Sequence, residues 1–384
     1  MLLKILFRNA LRHRLRSSLT VIGVAVAILA FGLLRTVVDA WYAGVEASSS
    51  TRLITRNAIS LIIPLPLSYY ERIKRVENVE IVSYGNWFGA YYKEEKNFFA
   101  NFAVQAESYL RIYPEFVIPE AQEHDFLADR KGALVGTKLA DRFGWRVGDT
   151  VTLIGTIFPG DWEFVIRAMY RGRTPSVDEF QFFFHWDYLN ETIKESMPRR
   201  ADQVGFFFTD MRKPEFAAAT ARAIDSQFEN SMAETLTETE KAFQMGFVAM
   251  SEAILMIIQL VSLVVIVIIL AVAANTMAMS VRERMREYAV LKTLGFGWPW
   301  IATLVLGEST LIAAAGGLLG IALTFPAAAA FRNAVGQYFP VFVVSQQTLL
   351  LDALAALAVG LLAAALPLWT ALRVRIAEGL RRIG

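Results

Sequence analysis

The 384-residue sequence has no cysteine and three histidines, His13, His124 and His185. The first absence excludes disulfides, zinc–thiolate sites and thiol catalysis. The histidines lie far apart and form no ligand-spaced pair, so no metal site is expected, although carboxylates alone can hold a hard cation. Charge is also scarce. Asp, Glu, Lys and Arg make up 19% of the chain against 55% of hydrophobic type, and mean hydropathy is +0.41. That is too apolar for an ordinary soluble protein of this length. The formal net charge of +2 says little; where the positive charges sit says more.

Crossing a hydrocarbon core takes about 20 apolar residues in helix, and four tracts qualify. The first runs from Ser18 to Ala40 and is charge-free from Ser17 to Leu34; Arg35 and Asp39 then read as lying at or beyond the outer surface. The second is uncharged from Ala253 to Val281, longer than one span needs, so it must tilt or project. The third runs from Trp298 to Phe331 with one acid, Glu308, inside it, and the fourth is uncharged from Ala353 to Leu372. The first tract is long for a signal-peptide core and no cleavage site is evident after it, so it reads as an uncleaved anchor.

Basic residues mark the cytoplasmic side. Lys4, Arg8, Arg12, Arg14 and Arg16 precede the first tract; Arg282, Arg284, Arg286 and Lys292 lie between the second and third; Arg373, Arg375, Arg381 and Arg382 follow the fourth. The stretch between the third and fourth carries Arg332 alone. Four spans put both termini and the 282–296 stretch on one side, and the charge bias makes that side cytoplasmic. The expected fold is a membrane α-helical one, with four transmembrane helices and an α+β extracytoplasmic domain inserted between helices 1 and 2. Its expected segments are an amphipathic cytoplasmic N-terminal helix at 1–17, spans at 18–42, 251–280, 298–331 and 348–372, an extracytoplasmic domain with stalk helices at 43–250, a cytoplasmic coupling helix at 281–297, an extracytoplasmic loop at 332–347 and a cytoplasmic tail at 373–384.

Within the insert, PLPLSYYERIKRVENVE reads as helix after a proline start. IVSYGNWFGAYY and NFFANFAVQAE read as hairpin partners across KEEKN. GALVGTKLADRFGWRVGDTVTLIG reads as strand, helix to Gly144, turn and strand. WEFVIRAMYRG, EFQFFFHWDYL and QVGFFFTD read as further strands, and KPEFAAATARAIDSQFEN as helix. No catalytic set stands out. GALVGTKL lacks the spacing of a phosphate loop, because Gly132 and Gly136 are too close and Thr137 precedes Lys138. His124 with Asp125, and His185 with Asp187, have no partnered nucleophile. The runs Phe182–Phe184 and Phe206–Phe208 read as strand core, with a substrate- or partner-binding surface as the sharper alternative.

The charged stretch VRERMREYAVLKTLGF stands between two lipid-compatible tracts. Arg282, Arg286 and Ala289 share one helical stripe, and Glu283, Glu287 and Val290 share another. Ala289, Val290, Leu291 and Leu294 add an apolar group, and Gly295 is placed to end the helix. Charged ends around an apolar knob suit a protein-docking helix.

The run Arg284-Met285-Arg286-Glu287-Tyr288-Ala289-Val290-Leu291-Lys292-Thr293-Leu294-Gly295 resembles the coupling segment of MacB/FtsX-type ABC transporter permeases, written R-T-R-E-I-G-x-L-R/K-A-L-G. LGESTLIAAAGGLLGIAL resembles that family's third span, with Glu308, Gly316, Gly317 and Gly320. RIAEGLR resembles its P-x-E-A-L-R ending, with Ile376 and Gly379 as departures, and Ala289 replaces the common Gly. The GALVGTKLADRFGWRVGDTVTL segment resembles a recurring part of the MacB-like periplasmic core domain.

The resemblance implies a permease that is not itself an enzyme, since the chain lacks nucleotide-binding motifs. It implies ATP and Mg on a separate cytoplasmic ABC ATPase, present in two copies, with no cofactor in this chain. That ATPase would dock on Arg282, Glu283, Arg284, Arg286, Glu287, Leu291, Lys292, Leu294 and Gly295. Extensions near Trp41–Asn57 and Glu234–Ser251 would act as stalks that carry motion outward. Glu308 is expected to make a structural bond inside the bundle, and Gly316, Gly317 and Gly320 to permit close helix packing. The implied setting is a bacterial inner membrane, with a second permease copy, membrane lipids and an optional periplasmic adaptor or outer-membrane channel as partners, and no nucleic acid. Export or release of a lipoprotein, lipid, peptide or toxin is the leading expectation. The rivals are an FtsX-like transducer acting on a cell-wall hydrolase, and an ATPase-independent receptor or scaffold.

Overall fold

The structure is a computed structural model and describes Arg8, residues 12–335 and residues 341–373. In chain order its elements are α1 (Arg14–Ala47), β1 (Arg52–Asn57), β2 (Leu65–Pro66), α2 (Tyr69–Ile73), β3 (Val79–Trp87), β4 (Ala90–Tyr91), β5 (Ala100–Val104), α3 (Ala106–Ile112), β6 (Phe116–Val117), α4 (Glu120–Ala128), β7 (Gly132–Gly136), α5 (Thr137–Phe143), β8 (Thr150–Gly155), β9 (Gly160–Gly172), β10 (Gln181–His185), α6 (Trp186–Ser196), β11 (Gln203–Val204), β12 (Phe206–Met211), α7 (Ala217–Ser226), β13 (Thr235–Thr239), α8 (Glu240–Met250), α9 (Glu252–Glu283), α10 (Met285–Thr293), α11 (Trp298–Val335) and α12 (Gln346–Leu372). Contacts divide the chain into a helical unit (1–41, 251–336 and 342–384) and a mixed unit (42–250 with 337–341). The expected N-terminal helix up to residue 11 apart from Arg8, the tail beyond 373 and residues 336–340 of the 332–347 loop lie outside the described residues.

In the helical unit, α1, α9, α11 and α12 are each long and apolar enough to cross a membrane. Helix pairs backbone N–H and C=O groups within each segment, which lipid demands, with Pro326 in α11 and Pro367 in α12 as interior prolines. Val24, Ile28, Ile269, Ala273, Val359 and Ala363 form the centre of the unit. Side chains such as Leu260, Leu263 and Ile268 of α9 stay exposed, as suits a helix facing lipid. Small residues let α11 approach its neighbours. A Cβ added to Gly316 would stand 2.8 Å from the Val21 carbonyl, one on Gly320 2.7 Å from the Ala25 carbonyl, and one on Gly317 2.5 Å from the Ala356 Cβ. Helix α1 begins at Arg14, so Arg14 and Arg16 extend the first span's own helix.

The mixed unit is built on a sheet whose strand order is β13-β1-β12-β3-β5-β10-β7-β9-β8-β4, with β6 on β9. β5–β10 and β7–β9 are parallel; the other pairs are antiparallel, including the expected β3–β5 hairpin pairing. Both faces are covered. Phe182 and Phe184 join one core with Phe88 and Phe164, and Phe183 joins the other with Tyr109, Leu134 and Tyr170. Alternation along a strand buried on both faces accounts for a run of three phenylalanines.

Three expectations need correction. WDYL is the start of α6 rather than strand, because its apolar residues Trp186, Leu189 and Ile193 recur at helical spacing and bury together. The helix expected in PLPLSYYERIKRVENVE shortens to α2, five residues. Of the segments expected as stalk helices, 41–57 and 234–251, only part is helical: α1 stops at Ala47, and 52–57 and 235–239 are paired strands, Leu53 facing Thr239. Branched residues there (Leu, Ile and Thr in RLITRN and TLTET) favour a pleated surface.

Candidate coupling site

A tight break shapes the charged stretch. Helix α9 runs to Glu283, Arg284 leaves helical geometry (φ −104°, ψ 11°), and α10 starts at Met285. Gly295, at φ +89°, follows α10 in the left-handed region that glycine adopts without strain. The expected single helix over 281–297 is therefore two helices and a turn. Glu283 closes α9, while Glu287 belongs to α10.

The turn is bolted to the unit. Arg284 is buried, and its Nη1 donates to Glu308 Oε2 at 2.5 Å while its Nε donates to Glu287 Oε2 at 3.1 Å. Ser280 Oγ donates to the other Glu308 oxygen at 3.2 Å. An acid inside an apolar helix is costly unless paired, and here a cation from the preceding turn meets it. From the N-terminal side, Arg12 pairs with Glu287, Arg16 Nη1 pairs with Glu283 at 3.0 Å, and His13 Nε2 lies 3.4 Å from Glu283. Burial alone would raise the Glu287 carboxyl, but hydrogen bonds from Arg12 and Arg284 outweigh it and hold the group below the usual carboxylate range. At the far end of α10, Lys292 Nζ donates to the Leu372 carbonyl at 3.0 Å. Tyr288 and Ala289 are buried, Tyr288 beside Val281, Ile301, Val305 and Ala371.

The residues expected to dock a partner thus divide. Arg284, Glu287, Leu291 and Lys292 turn partly or wholly toward the unit, and Glu283 is held by Arg16. Arg282, Arg286, Leu294 and Gly295 are exposed. Sequence reading missed Phe296 and Trp298, exposed at 41% and 68%, which extend the apolar surface of Val290 (45%) and Leu294 (69%). The available signal was aromatic residues directly after the helix stop. The arrangement joins α10 to α11 through Arg284 and Glu308 and to the end of α12 through Lys292, and leaves an apolar face exposed.

Other residues singled out in the sequence carry no reactive geometry. His185 Nε2 lies 2.7 Å from the Phe126 carbonyl, and His124 is exposed with Asp125 3.8 Å away. The GALVGTKL turn is closed by Glu179: Leu139 N donates to its carbonyl, Thr137 Oγ1 donates to its carboxylate, and a Cβ at Gly136 would meet that carbonyl at 2.1 Å. Among the described residues no group of three or more His, Asp or Glu is placed to hold a metal ion.

Residues 17–227 match the MacB-like periplasmic core domain family, and residues 259–376 match the FtsX-like permease C-terminal family. Among solved structures, the periplasmic region of MacB from Actinobacillus actinomycetemcomitans is similar at 8% identity and TM-score 0.38, covering 53% of this chain and 95% of that one. The extracellular domain of the ABC-type transporter YknZ from Gram-positive bacteria is similar at 11% identity and TM-score 0.35, covering 49% of this chain and all of that one. A domain of a putative permease from Porphyromonas gingivalis is similar at 12% identity and TM-score 0.33, covering 49% and 88%. No curated protein sequence matches. The chain belongs to the MacB/FtsX-type family of ABC transporter permeases.

Proposed function

We propose that this chain is the membrane subunit of an ABC transporter. In this reading it couples a separate cytoplasmic ATPase, which holds the ATP and Mg, to movement of an extracytoplasmic domain set between the first two spans. That movement drives export or release of a substrate such as a lipoprotein, lipid, peptide or toxin. Two ATPase copies and two permease copies make the working unit, with both termini on the cytoplasmic side of a bacterial inner membrane.

The observation that carries this reading is the anchoring of α10. A solvated connector between two spans needs no buried partner. This one is tied to α11 through Arg284 and Glu308 and to α12 through Lys292 and the Leu372 carbonyl, while Val290, Leu294, Phe296 and Trp298 stay exposed. A push on that apolar face reaches three spans at once. Motion of α9 then passes along the chain through Ser251 to α8.

The test is a detergent pull-down of the tagged permease with mass spectrometry of what accompanies it. An ABC ATPase should co-purify and be lost from Leu294→Asp and Phe296→Asp variants. Recovery of other membrane complexes without any ATPase would overturn the proposal.

A further inference from the structure

The mixed unit holds a cavity of about 420 Å³ between α8 and the face of its sheet, within the size range of small-molecule sites, roughly 300–1,000 Å³. Its walls are largely aromatic: Trp87, Phe102, Phe206 and Phe208 from the sheet, Phe243 and Phe247 from α8. Trp87 and Phe247 are 38% and 45% exposed, so the aromatic wall is open to an entrant. A second cavity of about 250 Å³, lined by Ile59, Leu61 and Met250, adjoins it, with Phe243 and Phe247 shared between the two.

Charge on the main cavity's wall is unbalanced. Arg52, the one cation among the described lining residues, is buried and fully engaged: Nε on Glu240 at 2.8 Å, Nη2 on Glu115 at 2.8 Å, Nη1 on the Ile112 carbonyl at 3.2 Å, and its plane over the Tyr113 ring. One guanidinium thus faces two carboxylates, and Asp178 adds a third acid to the same wall, with the Lys138 ammonium acting on it from outside the lining, so acids still outnumber cations. Among the described residues the lining offers no second cation to an anionic head. It offers surplus negative charge and aromatic faces, both of which attract a cation.

We propose that this cavity is a ligand site for a cationic amphiphile, whose apolar part lies along the aromatic wall and whose positive head lies toward Glu115 and Asp178. Because Glu240, Phe243, Gln244 and Phe247 belong to α8, the ligand completes the packing between α8 and the sheet. Occupancy and the position of α8 are therefore linked, and the linkage is reciprocal: whatever displaces α8 changes the affinity, and a bound ligand restrains α8. The site lies wholly within the mixed unit and stands independently of ATPase docking.

The experiment uses the full chain in phosphatidylcholine nanodiscs without any ATPase. Equilibrium dialysis of radiolabelled dodecyltrimethylammonium and of dodecanoate is corrected with empty discs. The cationic probe should bind saturably at about one per chain, with dodecanoate showing partition only. Ala100→Trp, which fills the cavity, should weaken binding tenfold or more; Asp178→Asn and the wall variant Phe247→Ala should each weaken it several-fold. Amide exchange over residues 240–250 should slow at saturation in the parent chain and stay unchanged in Ala100→Trp. Cation uptake no greater than in empty discs would overturn the site. Saturable binding that survives both Ala100→Trp and Phe247→Ala would move it elsewhere, and equal saturable binding of dodecanoate would overturn the ligand class. Since no ATPase is present, these outcomes are separate from the pull-down.

Discussion

Arg284 reaches Glu308 across 24 positions, Nη1 to Oε2 at 2.5 Å, and both side chains are more than nine-tenths buried. The pair joins the break after α9 to the interior of α11. Removing one member leaves the other charge buried and alone, a loss of about 3–5 kcal/mol for such pairs. Glu308→Gln and Arg284→Gln should each lower the unfolding temperature in detergent markedly. The double variant Arg284→Met/Glu308→Leu should recover much of the loss. Equal destabilisation by the single and double variants would show that the pair does not act as a unit.

Arg52 occupies the matching position in the mixed unit, tying the first residue of β1 to the first residue of α8 through Glu240. Its fork serves Glu240, Glu115 and a carbonyl together, and an ammonium cannot reproduce that geometry. Arg52→Lys should therefore approach Arg52→Met in its cost, about 3–5 kcal/mol. Thermal unfolding of the two variants side by side checks this; a Lys variant near parent stability would refute it.

Asp178 carries the clearest pH signature outside the spans. Burial pushes its carboxyl up to about 6, against about 3.9 in an unfolded chain. The folded state thus holds the proton more tightly. Its ionised carboxylate lowers stability above pH 6, and the penalty fades as pH falls from about 6 to about 4. Asp178→Asn should stabilise the protein at pH 7, with the gain over the parent shrinking through that window. Denaturation curves of both proteins at several pH values test it; a difference that stays flat with pH would count against the assignment.

Gly316, Gly317 and Gly320 have no room for a side chain. Alanine at Gly317 would bring two Cβ atoms to 2.5 Å, and at Gly320 would press on the Ala25 carbonyl at 2.7 Å. Each change should cost about 1–3 kcal/mol by overpacking, and Gly320→Leu should cost more than Gly320→Ala. Unfolding midpoints in detergent decide; tolerance of Leu at Gly320 would mean that α1 and α11 are not in contact as described.

The coupling segment allows a separation of roles. Leu294→Asp and Phe296→Asp alter exposed positions, so stability should hold while stimulation of a partner ATPase falls severalfold or more. Glu287→Arg turns the Arg12 and Arg284 contacts into repulsions, so stability should fall as well. Stimulation and melting temperature measured on the same preparations distinguish the two classes. Unchanged stimulation in both Asp variants would remove the apolar face from the docking surface.

Much of the architecture was readable from local pattern. Uncharged tracts of 18 residues or more marked α1, α9, α11 and α12. GALVGTKLADRFGWRVGDTVTLIG was readable as strand, helix, turn and strand because glycines and alternation act over a few residues. The stalk boundaries were harder to read. Residues 52–57 and 235–239 have the composition of strands, yet they become strands only by pairing across about 155 to 180 positions, 52–57 with both β12 and 235–239. The coupling stretch was visible as charge between lipid-facing segments, but its helical spacing did not reveal the break at Arg284, which follows from that side chain turning inward to Glu308.

By itself the sequence determined which stretches can enter a membrane, which flanks carry positive charge and where a charged stretch interrupts the apolar tracts, because burial cost and helix length are properties of a contiguous run. Only the tertiary structure decided which charges are engaged and which faces are open. Arg12 meets Glu287 from 275 positions away, and Arg52 meets Glu240 from 188; the aromatic cavity takes its wall from β1, β3, β5, β12 and α8. An ion pair or a cavity depends on distances of a few ångströms between elements, and the spacing of residues along the chain does not contain them.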